Sequence, residues 1–150
     1  MKIKRNPLIF HNVLSIKVIC KTNEWVNHAR ELRNSIIKNG LYVTGPVIYT
    51  VEDVDKENNT AKVGIYVPIN TEIDLEPNNK YVFIEEMKFE DGLILRHADL
   101  DDDIETVTYD TLRAAAGNYN LKLVEPFYNI YLDVFGGGVI DVYAPIEKSM

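Results

Sequence analysis

What this chain lacks narrows its chemistry before any motif is considered. One cysteine, Cys20, stands in 150 residues, so no internal disulfide can form; set among apolar neighbours, it reads as a small buried hydrophobe. Histidine is scarce, and His11, His28 and His97 fall at no metal-ligand spacing. Ser15, Ser35 and Ser149 sit in no nucleophile elbow. Positive charge is in deficit: 16 Lys and Arg against 23 Asp and Glu leave a net charge of −7. Nucleic acid, which needs clustered cations to displace its counterions, is therefore not an expected partner.

Long hydrophobic runs are missing too. Lys2, Lys4 and Arg5 precede a segment interrupted by His11, Asn12, Ser15 and Lys17, which is no signal-peptide core and no membrane span. The chain reads as cytoplasmic, and the sequon Asn58-Asn59-Thr60 is then without meaning. The acidic run Asp99 to Glu105 has neither the central glycine nor the spacing of an EF-hand, and suits a helix N-terminus better. Gly136 to Gly138 join two strands rather than a strand and a helix, so they predict a hairpin turn and no phosphate cradle.

What the chain does have is a copy of its own pattern. Residues 40–54 return as Asn120 to Val134, with Leu41 on Leu121, Pro46 on Pro126 and Asp53 on Asp133. Upstream Leu32-Arg33 meets Leu112-Arg113, and downstream Val63 to Ile69 answers Ile140 to Ile146. Two copies make a duplicated supersecondary unit rather than a solenoid. Related by a pseudo-twofold axis, they predict a groove where they meet, the kind of place ligands occupy.

Each copy reads as strand, helix, strand, strand. In the first, a strand covers about Leu8 to Lys21 and Thr22 or Asn23 caps a helix. Trp25, Ala29, Leu32 and Ile36 form that helix's apolar stripe, and Asn39-Gly40 stops it. Strands at about 46–54 and 61–68 follow. A loop over 70–80, containing Pro77-Asn78-Asn79, and an extra strand, Tyr81 to Phe89, lead to the second copy. There the strand is 93–99, the helix about Asp103 to Asn118, and the hairpin 126–134 with 139–145. The expected fold is one α+β domain, with an antiparallel sheet and both helices on one face. Repeat one spans about 8–69 and repeat two about 92–146.

Strand alternation sorts the side chains. Tyr128, Ile130, Leu132 and Val134 form an apolar face suited to a helix, as do Ile140, Val142 and Ala144. The opposite face then carries Phe127, Asn129, Tyr131 and Asp133, with Asp141 and Tyr143 beside them. Val47, Tyr49 and Val51, with Gly64 and Tyr66, are the first-copy equivalents. The candidate ligand contacts are Tyr49, Tyr66, Phe127, Asn129, Tyr131, Asp141 and Tyr143. Trp25 reads as core.

The ordered set resembles the GyrI-like small-molecule-binding domain, which also forms the effector-binding part of some AraC-type and MerR-type regulators. It comprises Gly45-Pro46 opening a strand, Val63-Gly-Ile-Tyr-Val-Pro-Ile69, Arg96-His97-Ala98-Asp99 before a helix, and a closing hairpin ending Tyr143-Ala-Pro-Ile146. The resemblance covers about Ile9 to Ile146 and implies a groove for an amphipathic or aromatic, often cationic, compound. It also implies a Glu where this chain has Asn129, and a His-x-Gly where Ala98-Asp99 follow His97. An amide cannot neutralise a buried cation, so Asp141, Asp133 or Glu85 would have to substitute. Without that Glu, the hydrolysis found in some relatives is not expected, and no cofactor or metal is implied. Two functions follow: a stand-alone small-molecule-binding module, or an interaction or inhibitor protein whose groove is vestigial or filled by a protein partner.

Overall fold

The turn after each helix shows how the local sequence sets the chain's course. In the computed structural model, which describes residues 2–77, 79–134 and 137–148 (for Val134 the backbone alone), helix α1 (Trp25–Lys38) ends in a Schellman motif. Gly40 takes φ 76°, and Leu41 N–H donates to Ile36 C=O at 3.0 Å while Gly40 N–H donates to Ile37 C=O at 3.0 Å. Helix α2 (Asp110–Asn118) ends alike: Asn120 sits at φ 56°, and Leu121 N–H reaches Ala116 C=O at 2.9 Å. Asparagine tolerates this left-handed conformation better than other side-chain-bearing residues, so it serves where glycine would.

The strands are β1 (Lys4–Arg5), β2 (Leu8–Cys20), β3 (Val47–Asp55), β4 (Thr60–Pro68), β5 (Val82–Phe89), β6 (Gly92–His97), β7 (Tyr128–Val134) and β8 (Gly137–Pro145). With two helices and antiparallel strand pairs, the fold class is α+β. The chain divides into two compact units, residues 9–87 and residues 1–8 with 88–150. Asn78 and Gly136, which the sequence placed in a loop and a turn, and Ser149, read as lying in no nucleophile elbow, lie outside the described residues.

In the unit of residues 9–87 the strand order is β3-β4-β2-β5. The central strand β4 is buried from Val63 to Pro68, and α1 buries Ala29, Leu32 and Ile36. At roughly 1.5–3 kcal/mol for each large apolar side chain removed from water, that stripe holds the helix in place. The sequence expects Thr22 or Asn23 to cap α1; the structure shows no side-chain cap there, and Thr22–Glu24 form a short 3₁₀ turn instead. Cys20 is buried.

The other unit has the order β1-β6-β8-β7. Its helix is entered through a π-helical turn, Glu105–Tyr109, which the sequence did not predict. Ahead of it, Asp103 caps the segment: its carboxylate accepts Glu105 N–H at 3.4 Å and Thr106 Oγ1–H at 3.1 Å. The acidic run is thus tied to the chain's own donors. Strand β1, too short to register as a pattern, pairs Lys4 with Ile94 and Arg5 with Leu93.

Candidate functional site

Strand register decides which candidate residues share a face. In the unit of residues 1–8 and 88–150, Asn129 lies opposite Val142, and Tyr128 lies opposite Tyr143. Cross-strand partners point to the same side. Asn129 therefore shares a face with Phe127, Tyr131, Val142 and Leu95, whereas Asp141 and Tyr143 share the other with Tyr128 and Ile130. The expected single aromatic face combining Phe127, Asn129, Tyr131, Asp141 and Tyr143 does not exist. The helical segment packs on the Phe127–Asn129 side, the reverse of the expected assignment for β7, because Tyr109 and Thr108 touch that side.

That helix-covered side holds a group of polar and aromatic side chains in mutual contact. The π-helical turn directs two consecutive residues inward. Thr108 is paired with His97, Oγ1 to Nδ1 at 2.7 Å, and His97 Nε2 lies 3.1 Å from Asp102 C=O. A carbonyl only accepts, so Nε2 carries the proton and Nδ1 accepts from the Thr108 hydroxyl. Both residues are buried, which seals this pair away from any substrate.

Tyr109 donates from its hydroxyl to Asn129 Oδ1 at 2.5 Å and meets Phe127 edge-on, ring centroids 5.1 Å apart. Asn129 is 0% exposed and Phe127 3%. Arg113 lies over both rings, 5.3 Å from the Phe127 centroid and 5.8 Å from that of Tyr109. Its guanidinium donates to Glu105 at 2.8 Å, Asp110 at 2.9 Å and Glu125 at 2.7 Å. The Glu105 hydrogen bond is the largest cause holding the Arg113 pKa above its ordinary value. This constellation combines ring faces, one buried amide bonded to Tyr109 and a cation matched by three carboxylates, with no nucleophile exposed beside a base.

The remaining candidates are committed elsewhere. Asp141 pairs with Arg96 through contacts of 2.8 and 3.2 Å, on the face away from the helix. Tyr143 is buried there, its hydroxyl donating to Asn6 C=O at 2.7 Å. Its ring lies over Gly92, where a Cβ would collide with it; burial first, then the Asp91 charge, push its pKa up to about 12. Tyr131 is half-buried and its ring covers Gly138 in the same manner. Asp133 and Glu85 are exposed.

In the unit of residues 9–87, Tyr49 faces α1 and stacks on Trp25, ring centroids 4.2 Å apart at 14°. Burial pushes its pKa up to about 12. Tyr66 pairs with Ile48 across the strands and so faces the opposite way from Tyr49, whose partner is Ile65. Its hydroxyl and that of Thr50 gather over Gly64, where an added Cβ would lie 3.0 and 2.6 Å from them; burial is the main cause raising the Tyr66 pKa. The sequence reading missed Tyr109, Arg113 and the His97–Thr108 pair. The legible signal was position: Tyr109 and Arg113 are four apart, the spacing that stacks side chains on one helical face.

No helix among the described residues is long and apolar enough to cross a membrane. No curated protein matches the chain. The C-terminal domain of EcmrR superposes with a TM-score of 0.74 at 15% identity, covering 99% of this chain and 100% of that one. EcmrR in its DNA complex superposes at 0.71 and 14%, covering 98% of this chain and 58% of that one. SAV2435 bound to tetraphenylphosphonium superposes at 0.54 and 11%, over 98% and 94% of the respective chains. These likenesses, at such identities, establish the fold. The model of a family described as a domain of unknown function, DUF5085, matches residues 9–148, and on that match over nearly its whole length the chain belongs to the DUF5085 family.

Proposed function

We propose that the chain is a small-molecule-binding module of the GyrI-like type, holding an amphipathic or aromatic ligand. The observation that carries this reading is the Tyr109–Asn129–Phe127 group, in which two ring faces and a hydrogen-bonding amide lie on one side of the sheet. The fold shared with a regulator's C-terminal domain and with a protein bound to tetraphenylphosphonium supports it. Of the sequence-derived candidates, Phe127, Asn129 and Tyr131 lie on the helix-facing side of one unit and are the proposed contacts, and Tyr49 faces the helix of the other unit. Tyr66 and Tyr143 support their strands from behind, and Asp141 is held by Arg96. The module is non-enzymatic and acts in the cytoplasm by sequestering or sensing its ligand.

A neutral amide in the position where the resemblance implies Glu sets the ligand's character. Asn129 satisfies a polar uncharged group but leaves a buried cation uncompensated, at a cost of several kcal/mol. Neutral aromatic compounds should therefore outcompete cations of similar size. A thermal-shift screen with matched neutral, cationic and anionic aromatics tests this. A ligand at a hundredfold excess over its Kd adds about 2.7 kcal/mol. The shift should vanish in Phe127→Ala while that variant still unfolds cooperatively. No shift with any class would remove the reading.

A second reading, an interaction or inhibitor protein with a vestigial groove, draws on the near-complete burial of Asn129 and Phe127 by the chain itself. It expects a stable complex with another protein at native abundance. A strictly solitary monomer in cell extract would count against it.

A further inference from the structure

The two units build the same corner twice, and only one of the two is charged. In the unit of residues 1–8 and 88–150, Ile146 N–H donates to Asp91 C=O at 3.0 Å, Val124 N–H to Pro145 C=O at 2.8 Å and Glu147 N–H to Lys122 C=O at 2.7 Å. In the unit of residues 9–87, Ile69 N–H donates to Asn12 C=O at 2.7 Å, Thr44 N–H to Pro68 C=O at 3.0 Å and Asn70 N–H to Tyr42 C=O at 3.2 Å. The isolated bridges Leu123 with Ile146 and Val43 with Ile69 correspond as well. These bonds equate positions one by one.

The apolar positions are kept across the equivalence: Phe89 answers Phe10, Pro145 answers Pro68 and Ile146 answers Ile69. The charged ones are not. Lys88 stands for Ile9, Asp91 for Asn12, Lys122 for Tyr42, Glu147 for Asn70 and Lys148 for Thr71. The same scaffold therefore closes without these charges, so closure of the fold does not account for their presence.

The charged corner encloses a cleft of about 730 Å³ with Phe89, Pro145 and Ile146 among its walls, within the size range of small-molecule sites. Arg5, on the edge strand β1, joins Lys88, Lys122 and Lys148 on its lining. Three carboxylates answer them: Asp91 pairs with Arg5 at 2.6 Å, Glu90 with Lys148 at 2.7 Å and Glu147 with Lys122 at 3.4 Å. Four cations against three anions leave a positive surplus in a chain whose net charge is −7. The paired side chains are exposed, so their salt bridges are weak and exchange readily for a ligand's charge.

We infer that this cleft is a second ligand site, separate from the one proposed above, and that it takes a small organic anion: a carboxylate or phosphate carried on an apolar body. The apolar body lies against Phe89 and Ile146. The charged group replaces a carboxylate on Lys148 or Arg5 and gains Lys88.

The test uses the full chain and three probes of one shape: 1-naphthoate, 1-naphthyl phosphate and the uncharged 1-naphthalenemethanol. Binding is followed by amide chemical shifts. Both anions should bind with Kd below about 1 mM, perturbing residues 88–91, 120–122 and 145–148, and should weaken as salt rises. The alcohol should bind about tenfold or more weaker. The variant Lys88→Ile, Lys122→Tyr, Lys148→Thr installs the other unit's own residues on the same scaffold. It should keep its fold and lose about tenfold or more in anion affinity. Should that variant fail to fold, Lys88→Gln with Lys148→Gln gives the same reading at exposed positions. Equal binding of the alcohol, undiminished binding by the neutralised variants, or no anion binding at all would each overturn the proposal. Failure of the Asn129 screen leaves it standing, since the two sites share no residue.

Discussion

Replacing Asn129 with aspartate changes one atom type and almost no volume, so it isolates the charge preference of the helix-covered side. The site is 0% exposed and its Oδ1 accepts from the Tyr109 hydroxyl at 2.5 Å. Leaving an uncompensated charge buried costs about 3–5 kcal/mol. The Tyr109 hydroxyl returns about 1.5–3 kcal/mol as a hydrogen bond to a charged acceptor. The net loss is roughly 2 kcal/mol at neutral pH, a fall in Tm of about 4–8 °C for a chain of this length. The sign follows from proton linkage. Burial raises the folded pKa of the new carboxyl, so the native state holds its proton more tightly than the unfolded one. The loss is therefore absent below about pH 4 and grows as pH rises above the ordinary aspartate value. The assay is the Tm difference between Asn129→Asp and the parent from pH 3.5 to 8. A difference that is flat across that range would refute the claim that this position is sealed from water. An organic cation that selectively restores the variant's Tm would support the proposed ligand contact at residue 129.

Three further outcomes follow. Tyr143→Phe removes only the hydroxyl that donates to Asn6 C=O and should lower stability by about 1 kcal/mol in denaturant unfolding; no change would mean that water replaces the bond. Gly40→Ala, at φ 76°, should cost about 1–2 kcal/mol, whereas Asn120→Gly at the corresponding turn should be close to neutral in the same measurement. In alkaline titration Tyr49 and Tyr143, each pushed up to about 12, stay protonated while exposed tyrosines ionise. Since their folded values exceed the unfolded value near 10, they stabilise the fold below pH 10 and lose that contribution as pH rises through 12. Absorbance at the tyrosinate band should show the two ionising only as the chain unfolds.

Much of the fold was legible because its punctuation is chemical. Gly40 and Asn120 mark the helix ends, and Asn39 and Tyr119 cap them through backbone bonds. The long strands fall close to where branched and aromatic residues cluster. The faces of β7 were not legible. Phe127 is 3% exposed, Asn129 0% and Ile130 5%, so both sides are covered and alternation carries no contrast. Register with β8 settles what alternation could not: Asp141 opposes Ile130, so the hoped-for carboxylate lies on the other face from Asn129. Tyr109 and Arg113 escaped notice because the acidic stretch before them reads as a solvated helix start. Arg113 gathers Glu105 of that stretch together with Asp110 and Glu125 and covers two rings, a role set by tertiary contacts that no local pattern announces.

The π-helical turn at Glu105–Tyr109 also keeps an account of chain length. Equivalent strand positions, such as Val13 and Gly92 opposite Pro68 and Pro145, differ by 79 in number, but Leu32 and Leu112 differ by 80. One residue more must be housed between strand and helix core in one unit than in the other. A helix that widens by a single residue for one turn does this without moving its ends. The surplus residue rotates what precedes it, and in doing so turns Thr108 and Tyr109 onto the sheet. An insertion that elsewhere would be absorbed in a loop here coincides with the turn that sets Thr108 against His97 and Tyr109 against Asn129.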